Sequence, residues 1–298
     1  MSSARQVLPE PLRSALEAAL GAEPVAARPL SGGDISRAFH VSLRGGGEAF
    51  VKTHPKPPRG MYQAEARGLA WLAEAGALPL PEVLAVSAPE AEVQLIALSY
   101  LAPGRPAPDF DVRLGEGLAA LHRSLPADAR PGLDHDNHIG SLPQGNASVP
   151  GGWAAFYAER RLLPQLERAA RHLSRATRAA FERLIGELPS RVGEVEPMAR
   201  LHGDLWSGNL HVTSEGAPAL IDPAAYVGHR EVDLAMMALF GGFSPRVLES
   251  YQAAYPLSPG YEARVPLYQL YPLLVHVNLF GGSYVASLER TLRAALEA

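Results

Sequence analysis

The chain has 298 residues, 47% hydrophobic and 19% charged, a globular composition long enough for two compact lobes. A net charge of −4 carries no electrostatic footprint for nucleic acid, and the absence of cysteine excludes disulfides, thiolate catalysis and Cys-based metal sites. MSSARQVLPEPLRSAL at the N-terminus lacks the apolar core of a signal peptide, and Pro272, His276 and Asn278 interrupt LYQLYPLLVHVNLFGG, so no membrane partner and a cytoplasmic location are expected.

Along the chain, residues 9–20 (PEPLRSALEAAL) predict a short amphipathic helix opened by proline. VAARPL, SRAFHVSL and GEAFVKTH then read as three strands, with SGGD and RGGGE supplying turn glycines. A helix from about Met61 to Glu74 follows, then two further strands, PEVLAVS and VQLIALSYL. The order β-β-β-α-β-β ends at Leu101-Ala-Pro-Gly, a natural linker. Beyond it LGEGLAALHRSL, WAAFYAERRLLPQLERAARHL, ATRAAFERLIGEL, VDLAMMALF and much of 261–297 carry helical periodicity. Only NLHVT and APALID look like strands there. The expected class is α+β, with a small antiparallel sheet lobe with one main helix over 1–101 and a larger, mainly helical lobe over 102–298.

HGDLWSGN (202–209) is the most chemical stretch. If NLHVT and APALID pair as a hairpin, Asn209 enters the first strand and Asp222 leaves the second, on the same edge. An amide oxygen and a carboxylate converging there suit Mg²⁺, which takes few protein oxygens and leaves room for phosphates. Asp204, on the preceding loop, can reach the same space as a base for a hydroxyl. The spacing H-x-D-x-x-x-x-N followed by a later metal-binding Asp is that of kinase-type phosphotransferases using ATP.

The first lobe supplies complementary parts. Basic charge is almost all arginine, with lysine only at 52 and 56, which makes Lys52 in AFVKTH conspicuous. Glu65 on the following helix can pair with it and hold the ammonium toward the ATP phosphates. SGGDIS, with Gly33, Asp34, Ile35 and Ser36, would cover those phosphates with backbone N–H groups, although paired glycines also make ordinary hairpin turns. Asp34 there would repel a triphosphate unless it points away or meets metal. Ser99-Tyr100-Leu101 would be the hinge whose backbone bonds adenine. Asp233 starts a helix, as a cap or as a brace beneath the catalytic loop.

HGDLWSGN together with IDPAAYVGHREVDLAMMALFGGF closely resembles the fructosamine kinase (ketosamine 3-kinase) family of the protein-kinase-like superfamily. The likeness extends to GGDIS, FVKTH, NHIGSLPQGN, WAAFYAERRL and LYQLYPLLVHVNLFG. It implies ATP- and Mg²⁺-dependent phosphorylation of a sugar 3-hydroxyl in small-molecule or protein-bound ketosamines, whose unstable product frees the amine. By position it makes Asp204 the proton acceptor, Asn209 and Asp222 the Mg²⁺ ligands and Lys52 the phosphate contact, with His202 and Asp233 as support. Asp34 stands where some relatives carry cysteine. Bacterial relatives suggest ribulosamine or erythrulosamine over fructosamine.

On the acceptor side, Trp206 is either a stacking floor for the sugar or a core anchor. Asn137, His138, Gln144 and Asn146 would read hydroxyls or line a loop. Asp136, Asp204 and Glu231 are the candidate partners of the substrate's secondary ammonium. Arg168, Arg171, Arg175 and Arg178 recur at helical spacing as a solvated stripe or an acidic partner's dock. Aminoglycoside and choline kinases share the H-x-D-x-x-x-x-N core, and a nucleotide-binding pseudokinase is the rival of another class. Against a Ser/Thr protein kinase, D-F-G is replaced by Asp222-Pro223-Ala224. The sequence specifies no oligomeric state.

Overall fold

Period-two alternation in the first strands decides which side of a sheet each residue meets. A computed structural model of the chain describes residues 8–30, 36–193 and 196–298. Helix α1 (Glu10–Leu20) opens with Pro11 in its first turn and stops at Gly21 in the left-handed conformation. It is followed by β1 (Pro24–Leu30), β2 (Arg37–Leu43), β3 (Glu48–Thr53), α2 (Met61–Ala73), β4 (Val83–Val86) and β5 (Leu95–Ser99). These are the elements the sequence predicts, in the same order.

The strands form one antiparallel five-stranded sheet in the order β1-β2-β3-β5-β4. Val41, Val51, Leu95 and Ala97 pack with Leu12 and Leu16 of α1 on one face. Ile96 and Leu98 turn to the other face, against Tyr62 and Leu69 of α2, with Phe50 beside them. Lys52, two residues beyond Phe50 on β3, therefore lies on the α2 face.

The remainder comprises α3 (Phe110–His122), β6 (Asn137–Ile139), β7 (Leu142–Gln144), α4 (Gly152–Phe156), α5 (Leu163–Ala169) and α6 (Arg175–Arg191). Then come β8 (Ala199–Leu201), β9 (Leu210–Val212), β10 (Pro218–Leu220), β11 (Tyr226–Gly228), α7 (Glu231–Phe240), α8 (Pro245–Ala254), α9 (Tyr261–Phe280) and α10 (Val285–Glu297). A π-helical turn, Tyr157–Leu162, joins α4 to α5. The predicted hairpin is β9 paired with β10. Two strand pairs the sequence did not suggest, β6–β7 and β8–β11, flank it. Each of their strands has three residues, too short for alternation to register.

The first unit is tied to the second. Leu72 of α2 packs with Leu114 and Leu118 of α3 and with Leu205 and Leu220 around the hairpin. The expected linker is also pinned, since Gly104 N–H donates to the Val212 carbonyl at 2.9 Å. Both ties fix the sheet face bearing Lys52 relative to the loop bearing Asp204. The expected arginine stripe does not form one face: Leu173 is extended and Ser174 caps α6, so Arg168 and Arg171 precede the break and Arg175 and Arg178 follow it. None of the described helices is long and apolar enough to cross a membrane.

Candidate active site

The loop after β8 is built from beneath. Asp233, in the first turn of α7 and fully buried, accepts the His202 N–H at 2.8 Å and the Gly203 N–H at 2.9 Å. Arg230 occupies the cap position, so Asp233 is a brace rather than the cap. His202 is also fully buried. Its Nε2–H donates to the Ile221 carbonyl at 2.9 Å and its Nδ1 accepts the Asp204 N–H at 3.3 Å, which fixes one neutral tautomer. Burial holds its pKa below the usual imidazole range against the pull of Asp233. Gly203 has φ +81°, and a Cβ there would lie 2.1 Å from the Ala224 carbonyl oxygen, so only glycine closes this turn.

Asp204, Asn209 and Asp222 converge as the hairpin geometry requires. Asn209 Nδ2 donates to Asp204 Oδ2 at 3.0 Å and to the Asp204 carbonyl at 2.8 Å. The Ile221 N–H meets the Asn209 carbonyl at 3.0 Å, so the two strand ends share an edge. Asp222 has φ +55°, a left-handed conformation found at no other non-glycine among the described residues. That strain sits where its carboxylate turns toward the sheet. Burial pushes the Asp204 carboxyl up to about 7; the Asn209 amide opposes the shift, and the charges of Asp222 and Asp233 add to it.

From the opposite side, Lys52 Nζ spans Glu65 Oε1 at 2.8 Å and Asp222 Oδ1 at 2.5 Å. Burial works against its charge, but the two carboxylates outweigh it and the pKa is raised. Asn209 Oδ1 and Asp222 Oδ2 accept no hydrogen bond among the described residues. Two unpartnered oxygens on one edge fit a hard divalent cation that completes its shell with phosphate and water. No cluster of three His, Cys, Asp or Glu that would hold a metal unaided occurs among the described residues.

These residues line a cavity of about 650 Å³ that also includes Ser36, Ala38, Phe50, His138 and Trp206. Ser36 Oγ bonds the Tyr62 hydroxyl at 3.0 Å. Gly33, Asp34 and Ile35 lie outside the described residues. Ser99, Tyr100 and Leu101 do not line this cavity. Tyr100 stacks on His40 with centroids 3.8 Å apart, while the Leu101 N–H has no partner among the described residues. Trp206 is 40% exposed, so it is no core anchor. Its indole folds back over Gly208, where a Cβ would lie 2.2 Å from the ring. His138 Nδ1 is buried without a partner.

Several expected contacts are corrected. Asp136 does not line the cavity; its Oδ1 accepts the Asn146 N–H at 2.7 Å and braces the β6–β7 region. Gln144 and Asn146 are committed to a buried network, and Asn137, although it lines the cavity, spends its side chain there too, its Nδ2 donating to the Ala225 carbonyl at 2.8 Å. In that network Gln144 Nε2 donates to Asn137 Oδ1 at 2.8 Å, and Arg161 Nη2 donates to Asn146 Oδ1 at 2.7 Å. Glu231 is fully buried and grips Arg264 with both oxygens, at 2.6 and 2.8 Å, away from the cavity. Glu231→Ala is therefore expected to lower stability by about 3–5 kcal/mol, because it strands the partner charge. Denaturant unfolding measures the loss, and an unchanged midpoint contradicts it.

The sequence reading missed the ring cluster on the cavity wall: Phe240, His276, Phe280 and Tyr284. A local signal existed, since α7 and α9 both end in Leu-Phe-Gly-Gly and both Gly caps, Gly241 and Gly281, take positive φ. Each ending leaves its phenylalanine at the cavity mouth, 38% and 45% exposed.

A model of the fructosamine kinase family matches residues 12–298. A probable ketoamine kinase of Thermus thermophilus is 41% identical over 294 residues, covering 96% of this chain and 100% of that one. One from Lactiplantibacillus plantarum is 38% identical over 269 residues, covering 89% and 92%. The crystal structure of a candidate fructosamine-3-kinase from Thermobifida fusca superposes with a TM-score of 0.87 at 38% identity, covering 96% and 99%. The aminoglycoside phosphotransferase APH(4)-Ia, solved with ADP and hygromycin B, shares the fold at a TM-score of 0.63 and 17% identity over 95% and 98% of the two chains.

Proposed function

This chain belongs to the fructosamine kinase family, and on that premise we propose that it transfers the γ-phosphoryl group of ATP to the 3-hydroxyl of a ketosamine. The observation carrying the reading is the 2.5 Å contact of Lys52 with Asp222, which sets the sheet-side cation directly against the Asp204–Asn209 edge. Ala38 and Phe50 beside Lys52 offer an apolar wall for a purine.

Asp204 takes the hydroxyl proton as the substrate oxygen bonds to the γ-phosphorus; the bond to the β–γ bridging oxygen breaks and ADP leaves. Its raised pKa suits a base that both accepts and returns a proton near neutrality. Lys52, held by Glu65, aligns the phosphates, so most of the barrier reduction is positioning and charge neutralisation. Asn209 and Asp222 would hold Mg²⁺, which when bound neutralises phosphate charge. The 3-phosphorylated adduct then breaks down and frees the amine, which amounts to deglycation.

The test is ADP release with Mg-ATP against fructosamine, ribulosamine and erythrulosamine, with kanamycin and choline as controls. Turnover on a ketosamine is expected; turnover on kanamycin or choline alone overturns the reading. Among the described residues the acids lining the cavity are Glu65, Asp204 and Asp222, too few to surround a polycationic aminoglycoside. Gly208→Ala pushes the Trp206 indole from its seat and is expected to raise the acceptor KM about 2- to 10-fold, the scale of one aromatic contact. The ATP KM stays constant; a rise in it instead would detach Trp206 from the acceptor.

A further inference from the structure

Among the described residues, every acid lining the cavity belongs to its phosphate-transfer end. Glu65 and Asp222 hold Lys52, and Asp204 holds Asn209. A ketosamine nevertheless carries a protonated secondary amine on the carbon beyond its ketone, and the substituent on that amine must continue away from Asp204. What the cavity offers in that direction is aromatic. Trp206 stands edge-on to Phe240 with centroids 6.4 Å apart at 73°, and Phe240 lies 4.7 Å from the His276 ring. His276 in turn lies 4.9 Å from Tyr284 and 5.5 Å from Phe280. Three of these rings are more than a third exposed, although large apolar rings are normally covered.

His276 adds no opposing charge. Its Nδ1 faces the Pro272 carbonyl at 2.7 Å, so that nitrogen carries the proton and Nε2 keeps its lone pair; burial holds the ring below the usual imidazole range. The wall is thus a run of aromatic rings with one imidazole acceptor and, among the described residues, no cation.

We propose that Trp206, Phe240, His276, Phe280 and Tyr284 form the subsite for the amine arm of the substrate, holding its ammonium and adjoining alkyl chain by cation–π and apolar contact rather than by a carboxylate. The inference rests on the ketosamine reading and names which ketosamines fit. Adducts of alkylamines, including a lysine side chain, match the wall. Adducts through the α-amino group of a free amino acid bring a carboxylate to it, and the one lysine lining the cavity, Lys52, is already paired twice.

The test compares two acceptors of equal length: a 1-alkylamino-1-deoxyketose and the ketose with an ether oxygen replacing the ammonium. Steady-state kinetics are run on the unaltered chain, Phe240→Leu and Phe280→Leu, which keep apolar bulk and remove the ring. The unaltered chain is expected to prefer the ammonium substrate in kcat/KM, and each substitution to shrink that preference about 2- to 10-fold, the range of a partly exposed cation–π contact. Turnover of the ether reports that each variant folds. A preference unchanged in both variants overturns the aromatic subsite while leaving the ketosamine reading intact. Failure of the unaltered chain on every ketosamine removes that reading, and the subsite with it.

Discussion

Asp204→Asn is expected to lower kcat by roughly 10²- to 10⁴-fold, the usual contribution of a positioned general base, with ATP affinity kept within about twofold. The substitution is nearly isosteric. An asparagine oxygen can still accept the Asn209 amide, which lies 3.0 Å from Asp204 Oδ2, and the loop's other bonds run through main chain and Asp233. What disappears is the carboxylate that takes the hydroxyl proton. Steady-state kinetics with nucleotide binding by calorimetry separates the outcomes. Near-normal kcat would remove Asp204 from the chemistry, and loss of ATP binding would make it a nucleotide ligand.

Asp233→Ala is expected to act differently, on fold and rate together. It leaves the N–H groups of His202 and Gly203 buried without acceptors, at about 1–3 kcal/mol each. That is a large share of the 5–15 kcal/mol by which proteins of this kind are stable. The loop carrying Asp204 also loses its brace, so kcat falls in whatever protein remains folded. Asp233→Asn keeps one acceptor oxygen and should lie between. Thermal unfolding monitored alongside kcat checks both parts, and a variant of unaltered Tm contradicts the brace.

Of the phosphate-end residues read from the sequence, Lys52, Glu65, Asp204, Asn209 and Asp222 line one cavity with Ser36, while Ser99, Tyr100 and Leu101 do not line it. Lys52 is legible because it is one of two lysines and sits in the strand before the Glu65 helix, and Asn209 and Asp222 because a hairpin brings strand ends together. Such relations span a few residues or a single turn. The acceptor end obeys no local rule. Glu231 looked available until Arg264, 33 positions later, took both its oxygens. Asn137, Gln144 and Asn146 have the chemistry of a sugar reader, yet a buried arginine and the pairing of three-residue strands tie their side chains to one another, even though Asn137 lines the cavity. Helix α8 is marked in the sequence by Ser244 at its cap and Pro245 in its first turn. The rings at the cavity mouth come from helices whose ends lie forty positions apart, Phe240 and Phe280, and only packing joins them through His276.

In the proposed reaction a ketosamine's 3-hydroxyl receives the phosphate. Incubating the chain with Mg-ATP and an alkylamine ketosamine, then correlating ³¹P with ¹H in the product by NMR, tests it most directly. A single phosphate ester coupled to the proton on carbon 3 is expected, formed far more slowly with Asp204→Asn. A phosphate on another carbon, or ADP formed with no phosphorylated sugar, would contradict it.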